Sequence, residues 1–162
     1  MKRFTLITLL VLVALLATIS TALASESRTV FRTGLSGEAA GTGSDAHGNA
    51  VFMFVDDGSS MKYKLVVNGL DDVTMAHIHV AEVPGGNGPP VLWLYPDAPP
   101  PSLIEGTFNG LLGSRTVTTD DLTGAAGIAS LAELMAAIDQ GRAYVNVHTS
   151  AFPGGEIRGT IR

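Results

Sequence analysis

Cysteine is absent from this 162-residue chain. No disulfide framework, lipobox thiol or thiolate nucleophile is therefore available, and stability must come from burial alone. Positive charge is scarce as well: ten Lys and Arg stand against fifteen Asp and Glu, for a net charge of −5. No basic patch is visible, and this acidic balance argues against a nucleic-acid partner. Asp56-Asp57, Asp71-Asp72 and Asp120-Asp121 are acidic pairs, but no Asp-x-Asp-x-Asp-Gly loop surrounds them, so they read as solvated turns rather than calcium sites. No serine sits between nucleophile-elbow glycines, which leaves hydrolase chemistry without support. The chain ends at Ile161-Arg162 without an apolar tail, so attachment to a cell surface is expected to be non-covalent or through the N-terminus.

What is present begins with one long hydrophobic run. Lys2 and Arg3 precede an apolar stretch from Phe4 to about Ile19, followed by Ala22-Leu23-Ala24, the small-x-small pattern of a signal peptidase site. Residues 1–24 are expected to be a cleaved signal peptide, leaving one exported domain, 25–162, whose net charge falls from −5 to −7 because Lys2 and Arg3 depart. Phe4 to Ala24 is also long enough to span a bilayer, so an uncleaved anchor is the alternative; only then would the mature domain meet a membrane.

Beyond Ser25, short β-branched and apolar runs alternate with Gly, Asp, Asn and Pro clusters, which predicts an all-β fold. Asn49–Val55 and Met61–Val67 form a predicted hairpin around Asp56-Asp57-Gly58-Ser59-Ser60. Further strands are expected near Val30–Ser36, Val73–Ala81, Val91–Tyr95, Leu103–Phe108, Ala143–Thr149 and Glu156–Ile161, about eight in all. Leu131, Leu134, Met135 and Ile138 recur at helical spacing before Gly141, predicting one short amphipathic helix over Ser130–Gln140 that lies on the core. The proline-rich stretches Pro84–Pro90 and Pro96–Pro101 read as surface loops, because proline removes a ladder donor.

The chemistry concentrates in histidine. His77 and His79 lie in TMAHIHVAEV and His148 in AYVNVHTS. Side chains two apart on a strand share a face, so His77 and His79 stand side by side while Ala76, Ile78 and Val80 point the other way. His148 falls opposite Val145 and Val147, and the three imidazoles are expected on the face away from the apolar residues. Neutral imidazole suits copper and zinc, and three such ligands leave a position open for water or substrate. The competing reading has the rings bonded to backbone or to Asn146, Thr149 and Tyr144 as structural groups. His47, in Ser44-Asp45-Ala46-His47-Gly48, reads as a turn residue. In the following PGGEIRG run, Gly154 or Gly155 is expected to need a conformation closed to other residues. Glu156 and Arg158 share a strand face and are expected outward, as a surface pair worth at most about 1 kcal/mol.

The blocks GLSGEAAGTGSDAHGNAVFMF, YKLVVNGL, VTMAHIHVAEVPGGNGPPVLWL and LMAAIDQGRAYVNVHTSAFPGGEIRGTI, in this order, resemble a chordin-type CHRD domain over about Thr29 to Arg162. The resemblance implies an antiparallel Greek-key β-sandwich, immunoglobulin-like, exported in microbes and extracellular in animals; it does not supply an activity, and a binding or structural module with an extracellular protein or envelope component as partner is the expectation. Two positions depart from the family pattern: Glu38-Ala39-Ala40-Gly41 replaces an acidic-Val-Pro-Pro stretch, and Ala81 replaces a glycine. The chain is also, more weakly, similar to copper/zinc superoxide dismutases, in which His-x-His on a sandwich strand and a late-strand histidine are copper ligands. Only His77, His79 and His148 have counterparts there; the zinc-loop residues and the disulfide do not. A non-enzymatic binding or structural module, in which His77, His79 and His148 could hold copper or zinc, is the preferred expectation, and a redox metalloenzyme the alternative.

Overall fold

Period-two burial organises the molecule. The computed structural model describes residues 28–55 and 58–162; the expected signal peptide, residues 1–24, and the Asp56-Asp57 pair of the hairpin loop lie outside the described residues. In β2 (His47–Val55) the residues Ala50, Phe52 and Phe54 are buried, and in the first half of β3 (Met61–Val80) so are Met61, Tyr63, Leu65 and Val67. The two strands pair antiparallel from Phe54↔Met61 to His47↔Asn68, the expected hairpin.

β3 is one strand of 20 residues where two were expected. Its register slips around Leu70, and both Gly69 and Asp72 have positive φ, 73° and 54°. The neighbouring strand fills the gap this leaves in the ladder. Asn109 Oδ1 accepts from the Gly69 N–H at 2.8 Å and Asp72 Oδ1 from the Gly106 N–H at 2.7 Å. The Asp71-Asp72 pair is thus a bulge inside a strand rather than a turn between two. Asp121, expected in a solvated turn, instead pairs with Arg115 at 2.6 Å.

The bend lets β3 serve two sets of neighbours. Its first half lies between β2 and β5 (Ile104–Val117), and its second half between β4 (Pro90–Tyr95) and β6 (Ala143–Thr149). β6 pairs with β7 (Ile157–Thr160), and β7 meets β1 (Arg28–Ser36) at Ser36↔Arg158. Arg32 and Arg162 continue that seam by exchanging N–H···O bonds of 2.7 and 2.9 Å. Since β1 pairs with β2 along its whole length, β1, β2, β3, β6 and β7 close into a five-strand ring flanked by β4 and β5. The expected all-β class is observed, with seven strands among the described residues rather than eight.

Two short helices accompany the strands. α1 (Gly37–Ala40) is a single turn after β1. α2 (Leu131–Asp139) is the expected amphipathic helix: Ser130 caps it by accepting the Glu133 N–H, and Leu131, Leu134, Ala137 and Ile138 are buried. These residues join Phe52, Phe54, Ile78, Leu92, Leu94 and Ile157 in one continuous core. Ala76, Ile78 and Val80 of β3, with Val145 and Val147 of β6, supply its wall, so the other face of these two strands is free for polar residues.

Candidate metal centre

All seven residues of β6 are buried, although only its odd-numbered side chains from Ala143 to Val147 belong to the core. The even ones, Tyr144, Asn146 and His148, face the opposite way with His77 and His79. The register sets His79 across from Tyr144, His77 across from Asn146 and Met75 across from His148. Two loops cover this face. Residues 81–89 bring Gly88 over His79, and residues 150–156 bring Pro153 over His148.

The three imidazoles are 3, 8 and 5 % exposed for His77, His79 and His148, and each offers a nitrogen within 4.8 Å of the others. His77 Nδ1 lies 3.3 Å from His148 Nε2. Nitrogens on metal bonds of about 2.0–2.1 Å at a tetrahedral angle stand about 3.3–3.4 Å apart, so this pair already has ligand spacing. His79 Nδ1 is 2.9 Å from the Gly88 carbonyl and His148 Nδ1 is 2.9 Å from the Pro153 carbonyl. A carbonyl only accepts, so both Nδ1 atoms carry the proton and both Nε2 atoms present a bare lone pair. Backbone carbonyls in this role orient metal-binding histidines and fix their tautomer.

Charge is suppressed at all three rings. Burial pushes His77 down to about 3, with His148 and His79 adding to the effect, and it pushes His79 down to about 4 against the opposing Gly88 hydrogen bond. His148 is also lowered, again by burial. Neutral imidazole is the ligand form. His77 Nε2, His79 Nε2 and Asn146 Oδ1 are buried without a hydrogen-bond partner, a cost of about 1–3 kcal/mol each unless something else satisfies them. A family comparison matches residues 31–161 to the CHRD domain.

The chain belongs to the CHRD domain family. No curated protein and no solved structure matches it. Among the described residues of this CHRD domain, His77, His79 and His148 are the one group of three His, Cys, Asp or Glu side chains placed to share an ion. His47 is not brought to them; it is exposed at the start of β2, with Nδ1 3.5 Å from the Asp45 carbonyl.

Around the rings the domain places groups that strand alternation does not single out. Trp93, across from His77 on β4, meets it edge-on with ring centroids 4.2 Å apart. Tyr144 stacks on His79 at 5.0 Å and 13°. Arg158 points away from the core as expected, but it does not pair with Glu156: its guanidinium lies 3.5 Å over the Tyr144 ring and donates to Asn87 Oδ1 and the Gly86 carbonyl. Glu156 likewise makes no surface pair. It is buried, and its carboxylate oxygens accept from Ser44 Oγ and Thr149 Oγ, both at 2.7 Å. Both departures have one cause: the loops and α1 fold back over β7, and strand alternation carries no information about such a cover.

Proposed function

We propose that this chain is an exported CHRD-type binding or structural module that holds one copper or zinc ion through His77, His79 and His148. The observation that carries this reading is the trio of buried rings, two of them anchored to carbonyls through Nδ1, that each offer a nitrogen within 4.8 Å of the others. Removal of residues 1–24 as a signal peptide leaves 25–162 as the working domain, outside the cell or in its envelope, with an extracellular protein or envelope component as partner. Among the described residues no helix is long and apolar enough to cross a membrane. The Greek-key, immunoglobulin-like arrangement remains what the family resemblance implies, alongside the all-β ring described above.

Trp93, the only tryptophan of the chain and in contact with His77, supplies the test. Addition of Cu(II) to metal-free protein is expected to quench its emission with a break at one equivalent, and calorimetry should give the same stoichiometry. His79→Ala, which leaves two ligands, should weaken copper binding by at least about tenfold. Equal affinity in the variant would make the histidines structural.

The second reading, a redox metalloenzyme, is favoured by the fourth ligand position that three imidazoles leave open. Superoxide turnover by the copper-loaded protein, compared with His79→Ala, separates an enzyme from a binding module.

A further inference from the structure

Beside the imidazoles lies a cavity of about 290 Å³, walled by His79, His148, Tyr144, Asn146, Gly88 and Arg158 among others. Arg158 is the only formally charged side chain in its wall. Its guanidinium is held from two sides, over the Tyr144 ring at 3.5 Å and by bonds to Asn87 Oδ1 at 2.6 Å and the Gly86 carbonyl at 2.5 Å. All three partners are neutral. The acid nearest to it in sequence, Glu156, is held by Ser44 and Thr149. A half-buried cation positioned beside neutral rings, with no carboxylate in the same wall, leaves positive potential directed into a small, partly open cleft.

We propose that this cavity is an anion site in which Arg158 draws a small monovalent anion to the open ligand position beside His79 and His148. The proposal rests on the metal reading above, since the anion's second partner is the ion those histidines hold. It extends that reading by naming what the fourth position takes, and Arg158 as the group that selects it. The volume has room for a small anion together with several waters, about ten water-sized groups in all. A guanidinium recognises anionic oxygen or nitrogen by charge and by directed N–H donors, and two of the five donors of Arg158 are engaged as described.

Sodium azide titrated into copper-loaded protein is the experiment, read by the ligand-to-copper charge-transfer band, with copper uptake measured on every sample. Arg158→Gln is expected to bind one copper as the wild type does and to bind azide roughly tenfold more weakly, the effect of removing one nearby charge in a partly screened site. Arg158→Lys keeps the charge without the fork and should recover part of the loss. In the wild type, chloride should compete with azide, a measurement that stands even where a variant melts. Undiminished azide affinity in Arg158→Gln, with copper bound, overturns the anion site and leaves the metal reading intact. Absence of copper uptake by the wild type overturns both.

Discussion

Burial holds His77 far below the usual imidazole range. Its ring is almost sealed from water, beside two further imidazoles, and a proton there would be both desolvated and repelled. The folded chain therefore binds fewer protons than the unfolded chain, whose histidines titrate near about 6.5. With folded values of about 3 for His77 and about 4 for His79, stability is complete above pH 6.5 and is lost as pH falls from there toward 3, by up to about 1.4 kcal/mol per histidine per pH unit. Melting midpoints of metal-free protein from pH 7 to pH 4 should fall steadily, and His77→Phe should flatten the slope. A pH-independent midpoint would contradict the burial of these rings. The pairing of His77 with His79 is legible from period-two alternation, and so is the face taken by His148. The hydrogen bonds that fix their tautomers are not, because Gly88 and Pro153 contribute carbonyls, which every residue type possesses.

At the level of elements, the turn between β6 and β7 separates its two glycines. Gly155 has φ of 112°, and a Cβ there would stand 2.0 Å from Asn146 Oδ1, whereas one on Gly154 would meet nothing within 4 Å. Gly155→Val should cost about 2 kcal/mol or more and Gly154→Val less than about 0.5 kcal/mol, by thermal or urea melts. Equal effects would mean that the turn relaxes. The expected need for glycine at one of the two positions is thus assigned to Gly155. α2 and the β2–β3 hairpin are readable because hydrophobic spacing and cap residues are local. The continuity of β3 through Gly69–Asp72 and the extension of β5 from Phe108 to Val117 are not. Gly69, Asp71, Asp72, Gly110 and Gly113 carry turn chemistry, and only pairing with a partner strand keeps such segments extended.

For the whole molecule, the all-β class follows from composition and alternation, while ring closure depends on a seam between the first and last strands, to which neither segment's sequence points. The proposed export is tested at this scale. N-terminal sequencing of protein recovered from the medium or envelope is expected to begin at Ser25, as the Ala22-x-Ala24 site directs. An intact Met1 chain held in membranes would identify an anchor instead.

His77 and His148 are 71 residues apart, and the carbonyl that orients His148 comes from Pro153. For a chain synthesised and threaded from its N-terminus, the ligand set does not exist until almost the last residue has emerged, since β6 must dock on β3 and the following loop must close. On the proposed reading of an exported metal-binding domain, the ion is acquired after passage rather than before it. An ion held by these three rings would then be drawn from the compartment of arrival.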